Sequence, residues 1–349
     1  MAESETITGA LKGILERGET LSREEATALM QRILRGEAGE VQLAGLLGAL
    51  AGRGETAAEI AGFALAMRAA ATMLPLSSAE QAALVDTCGT GGDASGSFNI
   101  STAAALVAAA AGASARGPRL LVAKHGNRAV TSRCGSADVL EALGIPVQLA
   151  PEAAAAALRT HGFCFLLAPA HHPALKAVMP VRRALGVRTV FNVLGPLLNP
   201  AGARRQVMGV YSARLVPLVA EAMTLLGAQH AMVVCGENGL DELALSGPSE
   251  VAEVRDGQVE QYVVTPEELG LQRAPLSELA GGDAAANAAI LTRIFMGESG
   301  PPRDVVVLNA AAVLVTAGIA SDLHEGVARA VKAIDSGAVQ TLVAKLRTK

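Results

Sequence analysis

Two patterns of apolar spacing divide the chain. Over the first 75 residues apolar positions recur at three- and four-residue intervals, as in Ile60, Ala64, Leu65 and Met67. That is the period of helices buried along one face. Ser22 and Glu25 stand at capping-box spacing before one such stretch, and Thr56 and Glu59 before another. Gly36 and Gly54 punctuate the ends. Residues 1–74 are therefore expected to form a small helical domain. Its leucine-rich helix around Leu43, Leu46, Leu47 and Leu50 is apolar enough to serve as a subunit interface.

After a linker at Pro75–Ser78, short apolar runs alternate with longer alanine-rich stretches. Leu84–Thr87, Leu120–Ala123, Val147–Leu149, Cys164–Leu167, Val207–Tyr211 and Met232–Cys235 read as strands with helices between them. This alternation predicts a larger α/β domain over 79–349 with a mostly parallel central sheet. Val251–Val254 and Val259–Val264 flank Asp256-Gly257 and read as a hairpin. Ala284–Phe295, Val305–Ala317 and Leu323–Ile334 read as helices.

Composition narrows the function classes. A length of 349 residues fits about two domains. With 51% apolar and 18% charged residues the chain is not intrinsically disordered. A net charge of −4, 2% aromatics and no Trp argue against a nucleic-acid binder that stacks bases. Cys88, Cys134, Cys164 and Cys235 are dispersed, with no CxxC pair, as in a reduced cytoplasmic protein. The start MAESETITGA has no signal-peptide pattern. The longest charge-free run, Ala94–Ala115, is too weakly apolar to span a membrane.

The distribution of charge says more than its sum. From Ala94 to Ala220 there are 13 Lys and Arg residues, Arg116 among them, but only three acids, Asp138, Glu141 and Glu152. That stretch carries +10 and the remainder −14, which predicts a localised positive field and an anionic ligand.

Three segments carry candidate chemistry. The strand at Leu84–Thr87 runs into Cys88-Gly89-Thr90-Gly91-Gly92-Asp93-Ala94-Ser95-Gly96-Ser97-Phe98-Asn99-Ile100-Ser101-Thr102 and then a helix. Glycines let backbone amides surround an anion, and a helix start adds free N–H groups. Asn99, Ser101 and Thr102 stand where capping residues belong. No Gly-Lys-Ser/Thr closes the loop, so it is not a Walker A motif. No acid follows at ribose-binding distance, so it is not a dinucleotide fingerprint.

The next strand delivers Lys124-His125-Gly126-Asn127-Arg128-Ala129-Val130-Thr131-Ser132-Arg133, and Ser136 opens a helix. Cations, an amide and hydroxyls at a strand's carboxyl end suit phosphate, with His125 and Asn127 as candidate anchors for an aromatic acid. Asp241 and Glu242 follow the strand Met232–Cys235 on a loop. Adjacent hard carboxylates suit a Mg²⁺ that also binds substrate phosphates.

Together these segments resemble the anthranilate phosphoribosyltransferase family. The resemblance extends through His172-Pro173, Val181-Arg182, Arg188-Thr189-Val190-Phe191-Asn192, Leu194-Gly195-Pro196, Leu308-Asn309-Ala310-Ala311 and Asp335-Ser336-Gly337, nearly the whole chain. It implies that Gly89, Gly92, Asp93, Ser97, Asn99, Ile100, Ser101 and Thr102 hold the pyrophosphate of phosphoribosyl pyrophosphate (PRPP). Lys124, His125, Gly126, Asn127, Arg128, Ala129, Val130, Thr131, Ser132 and Ser136 would contact the same substrate. Gly89, Asn127, Arg182, His125, His172 and Pro196 would meet anthranilate, and Ser101, Asp241 and Glu242 would hold magnesium, two ions per subunit. The implied assembly is a homodimer joined through the helical domain, with helices around 172–185 returning to that domain. No residue is implied as general base. The family often has Thr where this chain has Ser97, which keeps the hydroxyl, and Met where it has Leu175. The nearest rival is a pyrimidine nucleoside phosphorylase, which cleaves the same ribosyl C–N bond with phosphate.

Overall fold

The computed structural model describes residues 6–113, 119–129 and 133–347. Arg116, Val130, Thr131 and Ser132 lie outside the described residues. Four helices open the chain: α1 (Ile7–Arg17), α2 (Arg23–Leu34), α3 (Glu40–Arg53) and α4 (Ala57–Ala69). Both expected capping boxes form. Ser22 Oγ accepts from Glu25 N while the Glu25 carboxylate accepts from Ser22 N, and Thr56 and Glu59 do the same.

The rest alternates strands and helices. It runs α5 (Ser78–Ala82), β1 (Leu84–Gly89), α6 (Ile100–Ala113), β2 (Leu121–Gly126), α7 (Ser136–Ala142), α8 (Pro151–His161) and β3 (Phe163–Leu167). Short helices α9 (Ala168–His171), α10 (Met179–Leu185) and α11 (Phe191–Leu194) follow, then β4 (Arg205–Gly209), α12 (Leu215–Leu225) and β5 (His230–Cys235). The antiparallel pair β6 (Ser249–Arg255) and β7 (Gln258–Val264) comes next, and α13 (Ala284–Phe295), α14 (Pro301–Thr316), α15 (Leu323–Asp335) and α16 (Ala338–Leu346) close the chain.

The strands form one seven-stranded sheet in the order β3-β2-β1-β4-β5-β6-β7. The first five are mutually parallel and the last two antiparallel. One core lies between the sheet and α6, α14, α15 and α16, where α6 and α14 are buried almost all round. Seven of the nine residues from Ala103 to Ala111 in α6 are alanine, which lets its backbone sit close against the strands. A second core joins α1–α4 to α12, to the other face of β4 and β5, and to Val178, Val181, Val190 and Phe191 from the segment around α10 and α11.

Two expectations fail. Val147–Leu149 is not a strand. Pro146 removes a ladder donor just before it, and Ile145 and Val147 instead turn into the core ahead of Pro151, the first residue of α8. The leucines 43, 46, 47 and 50 are not a free face either: all four are buried in the chain's own helical core. The outward side of α3 is formed by Val41, Gly48, Ala51 and Gly52.

Candidate active site

The carboxyl ends of β1, β2, β4 and β5 meet at one edge of the sheet, where open α/β sheets bind ligands. The glycine-rich loop leaves β1 there. Gly91 and Gly92 have φ of +68° and +73°, a left-handed pair that other residues adopt only with strain. The far side of the loop is pinned to the segment before α13. Ser97 bridges Ala280, Phe98 N donates to Leu279 O at 3.0 Å, and Gly281 N donates to Gly96 O at 2.8 Å.

Asp241 and Glu242 come up against this loop from the turn after β5. Gly91 N donates to Asp241 Oδ2 at 2.6 Å, and Ser101 N, in the first turn of α6, donates to Glu242 Oε1 at 3.1 Å. The approach is close because two strand ends lack side chains: a Cβ at Gly89 would overlap the Asp241 carboxylate, and one at Gly209 would overlap its main-chain carbonyl. Burial raises the pKa of both carboxyls. Asp93 adds to the effect on Asp241, and Asp241 to that on Glu242.

Lys124 is buried between the two loops, its Nζ donating to Thr87 O at 2.7 Å and Ser101 Oγ at 3.2 Å. His125 and Gly126, expected on a loop, are the last strand residues of β2, because pairing with β3 continues to Gly126↔Leu167. Beyond them Asn127 N donates to Ser136 Oγ at 3.2 Å, and Asn127 Oδ1 accepts from Arg128 N at 2.8 Å. Ala129 N donates to Asp138 Oδ2 at 2.9 Å. Arg128 is paired with Asp138 at 3.3 Å and Glu141 at 2.6 Å, so its charge is engaged by α7 in this conformation.

The apolar side of the cleft holds His125 and His172, both buried, their ring centroids 5.3 Å apart at an edge-on angle of 70°. Burial pushes their pKa values down to about 3 and about 4, with neighbouring imidazoles adding, so both are neutral at pH 7. Pro196 is buried nearby, its carbonyl accepting from Gln206 Nε2 at 2.7 Å. Arg182 lies over the Phe191 ring at 5.1 Å, is half-buried, and forms no ion pair among the described residues. Arg188 stacks on the Tyr211 ring at 4.1 Å and donates to Gly92 O.

Buried polar side-chain atoms without partners gather here. Asp86 Oδ2, Thr90 Oγ1, Asp93 Oδ2, Thr102 Oγ1, His125 Nε2, His172 Nε2 and Thr189 Oγ1 are all of this kind. Protein interiors leave few such groups, and those that persist mark places where a ligand, ion or water completes the bonding. Among the described residues no cluster of three or more His, Cys, Asp or Glu side chains forms a self-sufficient metal cage. The two carboxylates, with unpartnered Asp93 Oδ2 beside them, fit a Mg²⁺ whose remaining ligands are substrate phosphates and water.

Several supporting residues carry no sequence signal of the role they play, although Asn309 lies in a motif shared with the family. Asn309 of α14 brackets Leu243, accepting from its N–H and donating to its carbonyl, each at 2.9 Å, and so fixes the acidic pair next door. Asn287 of α13 donates to Asn99 Oδ1 at 2.9 Å, so the Asn99 side chain is held from outside its own helix. Asp86 and Asn199 brace β2 from the side of β1.

This arrangement has known counterparts. Residues 81–340 match the glycosyl transferase family α/β domain, and residues 9–71 match that family's helical bundle domain. The anthranilate phosphoribosyltransferase of Anaeromyxobacter sp. (strain K) is 53% identical over 340 residues, 97% of each chain. This chain belongs to the anthranilate phosphoribosyltransferase family. The Brevibacillus brevis member is 49% identical over 341 residues, covering 98% of this chain and 97% of that one. Among solved members of the family, the Thermus thermophilus enzyme superposes with a TM-score of 0.87 at 48% identity, over 97% of this chain and 99% of that one. The Saccharomyces cerevisiae enzyme in complex with PRPP and Mg gives 0.85 at 28% identity, over 98% and 96%.

Proposed function

We propose that this chain transfers the 5-phosphoribosyl group of PRPP to the amine of anthranilate, releasing pyrophosphate, the reaction named for its family in tryptophan biosynthesis. The observation that carries this reading is the meeting of the Gly89–Asp93 loop with Asp241 and Glu242 across a 2.6 Å hydrogen bond. It puts anion-binding amides and cation-binding carboxylates at one point. The Saccharomyces cerevisiae relative solved with PRPP and Mg supports the same substrate here, and a second structure of that enzyme, with 4-fluoroanthranilate, supports the acceptor.

In this reading Gly89, Gly92 and Asp93, with Ser97, Asn99, Ile100, Ser101 and Thr102, receive the diphosphate, while the Thr90 and Gly91 amides hold the loop to Gly209 O and Asp241 Oδ2. Lys124 and the Gly126–Ser136 segment hold the remainder of PRPP. Asp241, Glu242 and Ser101 hold magnesium, two ions per subunit, and the metal neutralises charge on the leaving diphosphate. The ribose C1–O bond breaks with its electron pair going to pyrophosphate, and the anthranilate nitrogen lone pair forms the new C–N bond. The aryl amine is neutral before reaction and sheds a proton afterwards, so it needs placement more than a base. No side chain is assigned as general base. The fixed amides stabilise the growing negative charge without reorganising, usually the largest catalytic contribution.

Arg182, which forms no ion pair among the described residues, is assigned to the anthranilate carboxylate, with Asn127, Gly89, His125, His172 and Pro196 around the ring. Arg182→Ala is expected to raise the anthranilate KM by roughly 10-fold or more, the equivalent of a lost charged hydrogen bond. Steady-state kinetics should show the KM for PRPP nearly unchanged; the reverse pattern would remove this role.

The assembly proposed is a homodimer through the helical domain, which we divide from the α/β domain near residues 74–79, with the α10 region packed on the helical side. Val41 is 87% and Leu15 62% exposed, and with Gly48 and Gly52 they make a smooth apolar face on α1 and α3. Val41→Lys is expected to shift sedimentation from dimer to monomer. An unchanged sedimentation coefficient would put the interface elsewhere. A cytoplasmic setting fits the four free cysteines, and no helix among the described residues is long and apolar enough to cross a membrane.

The activity itself is tested by fluorescence. Anthranilate emission should fall when PRPP and Mg²⁺ are both present, and EDTA should stop the fall. Persistent emission, together with phosphorolysis of a pyrimidine nucleoside, would favour the phosphorylase reading instead.

A further inference from the structure

The parallel part of the sheet is not closed along its whole length. β1 pairs with β2 only at Leu84↔Leu121 and Val85↔Val122. Yet β1 stays paired with β4 as far as Gly89↔Gly209, and β2 with β3 as far as Gly126↔Leu167. From residue 86 onward, the strand that carries the glycine loop and the strand that carries His125 and Asn127 therefore part company. The main-chain groups that face the gap need partners, because buried backbone donors and acceptors are almost always satisfied.

Side chains supply them. Asp86 Oδ1 accepts from the His125 backbone N–H at 3.1 Å. Asn199 Nδ2 donates to Ala123 O at 2.8 Å, and Lys124 Nζ donates to Thr87 O at 2.7 Å. Asp86 is 0% exposed, and its second carboxylate oxygen has no hydrogen-bond partner among the described residues. Even eased by the Asn199 side chain, the Lys124 charge and the Thr87 N–H, a buried carboxylate is a costly way to meet the His125 N–H, since closing the ladder would have met it with backbone alone. Its cost is accounted for if the gap itself is what the site requires.

We infer that Asp86 is a positioning residue of the acceptor site, wedging β1 from β2 so that His125 and Asn127 stand at a fixed distance from the glycine loop. Asn199 is the second half of the same wedge, holding Ala123 two residues before His125. This inference rests on the functional reading above only in naming the space beside His125 the acceptor pocket. The wedge itself is a feature of the sheet. Asp86 touches no expected substrate position; it acts through the His125 main chain.

The test compares Asp86→Asn, which keeps an acceptor oxygen for the His125 N–H, with Asp86→Ala, which does not. Asp86→Ala is expected to raise the anthranilate KM about tenfold and the PRPP KM by a smaller factor of about threefold, since His125 and Asn127 also border PRPP, and Asp86→Asn to restore both to near wild type. Asn199→Ala should reproduce the split if Asp86→Ala folds poorly. In parallel, amide hydrogen exchange at His125 should quicken at least about tenfold in Asp86→Ala and not in Asp86→Asn. Equal changes in both KM values, an Asn variant as impaired as the Ala variant, or unaltered exchange at His125 would overturn the inference. If the wild-type chain makes no phosphoribosylanthranilate, the functional reading has failed instead, and the exchange measurement alone decides whether the wedge exists.

Discussion

Neutralising the acidic pair by Asp241→Asn with Glu242→Gln is expected to lower turnover on the order of 100-fold at limiting Mg²⁺ and far less at saturating Mg²⁺. The substitutions keep shape and hydrogen-bond acceptors, so Gly91 and Ser101 retain partners for their N–H groups. What is removed is charge. Both carboxyls have raised pKa values, from burial first and then from neighbouring carboxylates. An acid whose folded pKa lies above its unfolded value binds more protons in the native state. Its ionised form therefore subtracts stability as pH rises through that window. Without metal at neutral pH the double variant should accordingly melt no lower than wild type. A loss of activity equal at all Mg²⁺ concentrations, or a lower melting temperature, would count against the metal assignment.

The second large effect is expected at Gly209→Ala, a position with no side chain of its own directly beside Asp241. Gly209 ends β4, pairs with Gly89, and accepts from Thr90 N at 2.9 Å. An added Cβ would overlap the Asp241 carbonyl oxygen and crowd its carbonyl carbon. Neither backbone can retreat easily: β4 is held by β1 and β5 on either side, while Asn309 fixes the chain two residues beyond Asp241. Overpacking against rigid backbone should cost about 3 kcal/mol or more. It should also displace the acidic pair from the glycine loop. Urea unfolding would read the first and Mg²⁺-dependent activity the second. A variant with wild-type stability and activity would show that the strand ends are looser than the geometry requires.

Much of the site was legible because its chemistry is local. The glycines, hydroxyls and acid of the first loop fall within fourteen residues, from Gly89 to Thr102, and Lys124–Arg128 and Asp241-Glu242 are contiguous. The braces were not, because each joins distant parts of the chain: Asp86 to His125 across 39 residues, Asn309 to Leu243 across 66, and Asn99 to Asn287 across 188. Isolated Asn and Asp residues on strands and helices give no local pattern that distinguishes a brace from a surface polar group. For the fold, short apolar runs between alanine-rich stretches located the strands, and 3.6-residue spacing most helices. Val147–Leu149 misled because a short apolar run satisfies a strand and a core-packed connection equally well, and only Pro146 hinted at the difference. The α3 leucines misled in another way. Apolar spacing shows that a face is buried but not against what, and here it is buried against the chain's own helices.

The central claim is that the loop at 89–93 and the pair at 241–242 grip one diphosphate through a shared divalent cation. A crystal structure of this chain with PRPP and Mg²⁺ tests it most directly. Diphosphate oxygens are expected against the loop at Gly89, Gly92 and Asp93, with a cation about 2.1 Å from both a diphosphate oxygen and a carboxylate or bridging water of the 241–242 pair. Diphosphate density elsewhere on the molecule, or at this loop with no cation beside Asp241 and Glu242, would contradict it.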